Sequence, residues 1–200
     1  MFNFIKVLLF IGCVSATGSA LAWEDSPYEV IANAGNNLFS RIASQQQALK
    51  TQPGLMTSIV EQELMPYVDH RYAAFKILGK NLRTINKAQR EAFVLAMKKH
   101  LSQSYVQVLS KYTDQKVTFQ QQEQAANRKI VSVKSVISQA GKPDIEMDFR
   151  LRKNKNSRQW LAFDIVVEGI SMLDAKQAEI SAKIRSHGID EVIAELAREA

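Results

Sequence analysis

Between residues 145 and 152 the chain alternates without interruption between apolar and charged side chains. The apolar positions are Ile145, Met147, Phe149 and Leu151, and the charged positions are Glu146, Asp148, Arg150 and Arg152. Successive side chains of a strand point to opposite faces, so a period of two predicts a strand with one buried and one solvated face. Such half-buried strands are typical of antiparallel sheets.

Three neighbouring segments repeat this pattern. Val117 and Phe119 begin one strand, 131–137 forms the next, and 161–167 follows the alternating segment. A turn at Gly141-Lys142-Pro143 and a polar turn at 153–157 separate them, and short turns join antiparallel neighbours. The sequence therefore predicts a curved antiparallel meander of about four strands.

Helical periodicity precedes and follows the strands. Ser26-Pro27-Tyr28-Glu29 reads as a capped helix start, and shorter helices are expected at about 55–64 and 67–78. Asn86 to Tyr112 carries the longest apolar stripe, and the tail reads as two amphipathic helices interrupted by Gly188. Helices before and after a run of strands indicate an α+β fold, with the helices on the apolar face of the sheet.

The first 22 residues are expected to be a secretory signal peptide. Lys6 supplies the positive start, 7–14 is a short apolar run, and Ala20-Leu21-Ala22 resembles a cleavage site. Residues 23–200 then form a single domain, expected in the periplasm. The only cysteine is Cys13, so the mature chain would contain no disulfide. A lipoprotein acylated at Cys13 is the alternative.

The charge balance and the lack of catalytic motifs narrow the classes of function that the sequence supports. The chain has 26 Lys and Arg residues against 20 Asp and Glu residues, a modest excess that suits anionic lipid head groups or an acidic partner. No basic cluster with interleaved aromatics indicates nucleic acid. No serine-hydrolase elbow, zinc-protease motif or phosphate-binding glycine loop occurs, so neither a catalytic nor a metal site is predicted.

Two polar groups leave an enzymatic interpretation open. Asp164 and Glu168 lie four residues apart in a strand, so they are expected to share a face with Trp160, opposite Phe163 and Ile165. Such a pair could act as acid and base, although hydrogen bonds to helix termini or to basic groups are favoured. Asp69-His70 beside Arg71 lacks an accompanying nucleophile.

Two segments resemble the MlaC family of periplasmic phospholipid carriers, auxiliary components of the Mla ABC transport system. The first, 61–112, contains Leu-Met-Pro-Tyr-Val, Ile-Leu-Gly and Ala-Gln-Arg-Glu-Ala-Phe in order; the second runs from Arg152-Lys153-Asn154 through Glu168-Gly169 to Leu196. The resemblance implies a carrier that shuttles one phospholipid between the outer and inner membranes of a Gram-negative cell and so maintains outer-membrane lipid asymmetry. It implies no enzyme activity and no cofactor, with phospholipid as cargo.

The resemblance also implies partners and a binding site. The partners would be an inner-membrane ABC transporter with an MCE-domain ring and an outer-membrane lipoprotein–porin complex, with transient proximity to both membranes. A lipid slot is expected between the sheet and the helices, with the head group left in water. The residues expected to line the slot are Leu78, Phe93, Met97, Leu101, Tyr105, Val133, Ile137, Met147, Phe149, Leu151, Phe163, Ile165, Val167, Ile170 and Met172.

Two other classes of function remain as alternatives. A periplasmic chaperone or adaptor would bind apolar segments in an open groove. A hydrolase on a cone-shaped α+β fold would use Asp164, Glu168 or a histidine.

Overall fold

A computed structural model describes residues 26–121 and 128–199 as an α+β fold. The helices are α1 (Pro27–Ser44), α2 (Gln46–Thr51), α3 (Leu55–Ile59), α4 (His70–Leu78), α5 (Lys87–Leu109) and α6 (Met172–Arg198). The strands are β1 (Lys116–Gln120), β2 (Ile130–Ser138), β3 (Ile145–Lys153), β4 (Trp160–Val167) and β5 (Ile170–Ser171). The expected signal peptide, its cleavage site and Cys13 lie outside the described residues.

The strands form one antiparallel sheet in which spatial order follows sequence order, β1-β2-β3-β4-β5. The predicted curved antiparallel meander is confirmed, and the two-residue β5 is added beside β4. β5 follows a tight turn in which Glu168 and Gly169 both have positive φ. Such turns favour glycine and asparagine. Because a glutamate occupies the first of these positions, the sequence pattern did not predict the short return strand.

One irregularity shifts the alternation in β4. Leu151 pairs with Ala162, whereas Arg150 pairs with Asp164, so Phe163 is an extra residue without a counterpart on β3. Because of this bulge, Trp160 lies on the face of the sheet that a strict two-residue alternation would assign to its neighbours in the sequence. The expected placement of Trp160 with Asp164 is therefore wrong, and Trp160 packs with Leu151 and Ala162 instead.

Helix α1 covers half of the apolar face of the sheet. Ile31 packs against a buried cluster of Val131, Val133, Leu151 and Ala162. The approach is closest at Gly35, where an added Cβ would lie 2.3 Å from Cζ of Phe119. A glycine at this position thus lets the helix and the aromatic ring of β1 meet.

A second buried cluster joins α4, α5 and α6. Phe93 and Met97 of α5, Leu78 of α4 and Ile180 of α6 are all completely buried there. Phe163 is the residue of the sheet that enters this cluster, where its ring meets Tyr72 edge-on at 5.1 Å. The extra residue of the bulge therefore anchors the helices to the sheet.

A third cluster connects α1 with α3 and with the end of α5. Leu38, Ile42 and Ile59 are buried in it, and Tyr112 stacks near Phe39 at 4.9 Å. The core is consequently divided into separate clusters. Helix α5 passes from the second cluster to the third and packs chiefly on α4 and α6.

Local sequence signals account for most helix starts. Ser26 with Glu29, and Asn86 with Gln89, form the reciprocal capping hydrogen bonds expected of them. The helix expected at 67–78 begins later, at His70, because Asp69 caps it by accepting from the Tyr72 N–H. The helix expected at 55–64 ends as a π-helical turn over Val60–Leu64, and α2 was not predicted.

Helix α6 bends sharply at Gly188, whose φ of 81° and ψ of 166° lie outside the helical region. Lys183 and Glu195, on either side of the bend, form an ion pair of 2.7 Å. Their Cα atoms would stand about 18 Å apart along a straight helix. The two segments predicted from the sequence are thus folded toward each other around the interruption.

Candidate functional site

The apolar face of the sheet is left uncovered at the end opposite α1. Register places Ile137 beside Ile145, Met147 beside Val167, and Val167 beside Ile170. We call these five residues the open end. Ile145 is 43% exposed and Ile170 is 61% exposed, whereas aliphatic side chains of the half under α1 are almost completely buried. A contiguous apolar surface of this kind usually marks a binding site.

The second half of α5 also carries side chains that are incompletely buried. Leu101 and Tyr105 are only half-buried, although they continue the stripe that buries Phe93 and Met97. Burial, with a contribution from the Asp164 carboxylate, raises the pKa of Tyr105 to about 12. We refer to the lipid slot that the sequence predicts between the second half of α5 and the open end as the interlayer cleft.

The residues predicted to line a lipid slot divide into three groups. Those buried in filled clusters are Leu78, Phe93, Met97, Val133, Leu151 and Phe163. Those half-buried are Leu101, Tyr105, Ile137, Met147, Phe149, Ile165 and Val167. Ile170 and Met172 are exposed. Only the half-buried and exposed groups keep surface that a ligand could reach, and their lining of the interlayer cleft and contact with a lipid stay predictions.

Sequence reasoning missed Ile145 as a member of the open end. It begins the alternating run of β3 and therefore shares a face with Met147. The periodicity contained this information, but periodicity cannot show which end of a strand is covered.

The two carboxylates of β4 and its turn have structural roles. Asp164 is buried; it accepts hydrogen bonds from the Ser171 hydroxyl at 2.8 Å and from the Leu173 N–H at 3.0 Å. Arg150 adds an ion pair at 3.3 Å. Glu168 accepts from the Glu146 N–H at 2.6 Å. The favoured interpretation, bonding to a helix terminus and a basic group, is confirmed for Asp164.

The pKa values of two histidines in the helices are also shifted by the protein around them. Burial is the main cause that lowers the pKa of both His70 and His100, so each favours its neutral form. Asp69, next to His70, caps α4 and lies 3.3 Å from Arg152, whose guanidinium stacks over Tyr72. These contacts connect β3 with the start of α4.

Two open clefts are lined by residues other than those of the open end. One of about 300 Å³ is formed by Tyr67, Trp160 and the turn before β4; another of about 360 Å³ lies between Lys80 and α6.

The described residues present neither a metal-binding group nor a membrane-spanning helix. Within residues 26–121 and 128–199, no group of three acidic, histidine or cysteine side chains is placed to hold a metal ion. Over the same ranges, none of the helices combines the length and apolar character needed to cross a bilayer.

Known proteins match both the sequence and the fold. The chain matches the family described as MlaC protein over residues 32–198. It is 31% identical over 185 residues to the intermembrane phospholipid transport system binding protein MlaC of Haemophilus influenzae, covering 92% of this chain and 86% of that one.

A solved structure shares the fold. The phospholipid-binding protein from Ralstonia solanacearum, determined in complex with a phospholipid, superposes with a TM-score of 0.77 over 88% of this chain and 97% of that chain, at 17% identity. The sequence matches extend over both segments that carry the resemblance, and this chain belongs to the MlaC family.

Proposed function

We propose that this protein is a periplasmic phospholipid carrier that shuttles lipid between the outer and inner membranes and thereby maintains outer-membrane lipid asymmetry. Under this proposal residues 1–22 direct export and are removed, and residues 23–200 form the lipid-binding domain. The observation that supports it is the open end, an apolar surface left exposed within a family whose named relative is a phospholipid transport protein.

The divided core supports a cleft that can expand. The cluster around Phe93 and the cluster around Val133 are separate, and Phe163 is the residue of the sheet shared with the helices. Acyl chains can therefore enter between α5 and the sheet without displacing the buried residues of either cluster. Met147 and Met172 border this path, and the flexible thioether of methionine adapts to tails of different shape.

The energetics of transport require such a cleft. Each buried methylene gains about 0.8 kcal/mol, so a tail of roughly 16 carbons resists transfer into water by on the order of 12 kcal/mol. A carrier that covers the tails removes most of this barrier. The open end leaves the head group in water, which avoids the cost of burying a charged phosphate.

The partners of such a carrier would be the two membrane complexes implied by its family. We propose that it receives lipid from an outer-membrane lipoprotein–porin complex and delivers it to an inner-membrane ABC transporter with an MCE-domain ring. The carrier itself performs no chemistry in this scheme, and phospholipid is its cargo.

The direct test is native mass spectrometry. The full chain would be expressed with its signal in a Gram-negative host and purified from the periplasm without detergent. We expect a stoichiometric adduct of phospholipid mass that is lost after organic extraction. Protein that carries no adduct and takes up no lipid from vesicles would contradict the proposal.

The same preparation separates the alternative functions. A chaperone or adaptor would be purified without bound lipid and would bind unfolded apolar peptides. A hydrolase would release fatty acid or head group from added phospholipid, and this release would depend on Asp164 or Glu168.

A further inference from the structure

A cleft of about 300 Å³ lies between the first turns of α1 and the hairpin that joins β3 to β4. Residues 157–159 of the hairpin form one side, and we call this space the hairpin cleft. β3 begins at the open end with Ile145 and finishes at this hairpin, so the hairpin cleft lies at the far end of the strand. The apolar and aromatic wall of the cleft consists of Val30, Pro66, Tyr67, Trp160 and Leu161.

The hairpin beside the cleft is braced by its own hydrogen bonds. The Asn154 side chain accepts from the backbone N–H groups of Asn156 at 2.9 Å and Ser157 at 3.2 Å. The Asn154 N–H donates to the Gln159 carbonyl at 2.8 Å, and the Asn154 carbonyl accepts from the Arg158 N–H at 2.9 Å. Arg158 has a φ of 60°, in the left-handed region that favours glycine. The turn therefore presents a charged side chain at the cleft where its backbone alone would prefer glycine.

The hairpin gives the cleft a positive electrostatic environment. It contributes Lys153, Lys155 and Arg158, and segment 152–158 contains no acidic residue. The Lys153 ammonium lies 5.9 Å from the centre of the Trp160 ring. None of the described residues that line the cleft is acidic either. A segment that fits this cleft should thus combine an aromatic side chain with negative charge.

The chain itself contains such a segment directly before the first described residue, in Trp23-Glu24-Asp25. Ser26 caps α1 with an extended backbone, at φ −65° and ψ 156°, so the helical path does not continue before it. The residue that precedes an N-cap neighbours the fourth residue of the helix, which is Val30 of the cleft wall. Three extended residues reach about 10 Å. The segment is therefore long enough to enter the hairpin cleft from Val30.

We propose that Trp23-Glu24-Asp25 folds back into the hairpin cleft, with the Trp23 indole against the aromatic wall and the two carboxylates beside the basic hairpin. The inference goes beyond the carrier function and uses only its export step, in which removal of residues 1–22 leaves Trp23 as the first residue. The docked segment ties the start of α1 to the β3–β4 hairpin. It covers Trp160 and so closes the end of the sheet that lies away from the open end.

Tryptophan fluorescence tests this docking, because Trp23 and Trp160 are the only tryptophans of the chain. The protein is expressed with its signal and purified from the periplasm, and its intact mass identifies its first residue. In Trp160→Phe the sole emitter is Trp23. We expect its emission to be blue-shifted, and its quenching by acrylamide to be several-fold weaker, relative to the same chain unfolded in urea.

A second pair of variants leaves the wall of the cleft unchanged and monitors Trp160 instead. Trp23→Phe retains a ring that can cover Trp160, whereas Trp23→Ala does not. We expect acrylamide to quench Trp160 more strongly in Trp23→Ala than in Trp23→Phe. Equal quenching in the two variants would show that Trp160 is not covered by this segment.

Charge reversal identifies the surface on which the segment docks. In the Trp160→Phe background, Glu24→Lys with Asp25→Lys should raise the quenching of Trp23 toward the value of the unfolded chain. The effect should be largest at low salt, where the charges are least screened. Adding Lys153→Glu with Arg158→Glu restores opposite charges, and should return the quenching of Trp23 to its low value.

Lys116→Glu with Lys142→Glu is the matched control, because it makes the same change in net charge at exposed positions of the other end of the sheet. It should not restore the low quenching. Trp23 as accessible in the folded as in the unfolded chain, absent or equal rescue by the two charge pairs, or a first residue that follows Asp25 would overturn the inference. Lipid content is read in the same mass spectrum, and its absence would contradict the carrier function without affecting the docking.

Discussion

Ile170 provides the most direct single-residue test of the open end. Its side chain is 61% exposed, so glutamate there keeps its charge in water and folding should tolerate it. An acyl chain that passes this position would have to lie against a carboxylate. We expect Ile170→Glu to reduce co-purifying phospholipid by at least about tenfold, since 1.4 kcal/mol suffices for that factor.

Native mass spectrometry of detergent-free protein measures this effect. Leu95→Glu is the matched control, because Leu95 is also exposed, at 68%, but lies on the first half of α5. Lipid content equal to wild type in Ile170→Glu would show that Ile170 is not on the path of the tails.

Removal of the Asp164 carboxylate should destabilise the fold strongly. Its carboxylate holds Ser171, the first turn of α6 and Arg150 together from a buried position. We expect Asp164→Ala to lower the free energy of unfolding by about 3 kcal/mol, as for a broken buried ion pair. Exposed Glu168→Ala should cost about 1 kcal/mol or less. Urea unfolding compares them, and equal losses would contradict the role assigned to Asp164.

Tyr105 predicts a pH dependence in the alkaline range. Its folded-state pKa is about 12, against about 10 in an unfolded chain. Between these values the unfolded chain binds fewer protons, so stability falls as pH rises through this window and is unaffected below it. Urea midpoints at about pH 9 and about pH 11 should therefore differ more for wild type than for Tyr105→Phe. The same difference in both proteins would refute the assignment.

At the scale of elements, the contact of α1 with the sheet depends on Gly35. Gly35→Ala should be destabilising, because its Cβ would meet the Phe119 ring, and such overpacking costs about 1–3 kcal/mol. Phe119→Leu removes the ring and therefore the clash. In that background Gly35→Ala should stabilise the fold by up to about 1 kcal/mol through helix propensity. A double-mutant cycle measured by urea unfolding gives the coupling, and additive effects would contradict the contact.

Elements were predictable from sequence to the extent that their signals are local. The capping boxes at Ser26 and Asn86 and the two-residue period of β3 are complete within a few residues, and each was recovered. The bulge at Phe163 and the placement of Trp160 were not, because a bulge is defined by the partner strand. Which half of the sheet α1 covers depends on long-range packing that periodicity does not encode.

At the scale of the whole molecule, removal of lipid should loosen one region selectively. A ligand that binds only the folded state stabilises it, by about 2.7 kcal/mol at a concentration of 100 times Kd. We expect delipidated protein to gain amide hydrogen exchange in β3, β4 and the second half of α5. The buried cluster around Phe93 and Ile180 should change little, because it is complete without cargo. Uniform acceleration across the chain would contradict a cleft between separate clusters.

If the chain is exported as proposed, the neighbour order of the sheet bears on how it reaches this fold. Every strand after β1 pairs with the strand that precedes it in the sequence. Each strand pairing therefore closes only the loop between neighbouring strands, which keeps the loss of chain entropy small. Contacts of short sequence separation favour fast folding. A chain that emerges from a translocon with its N-terminus first could add its strands one hairpin at a time. The last pairing, β4 with β5, would be followed directly by α6, so the open end would be the final part of the sheet to take shape.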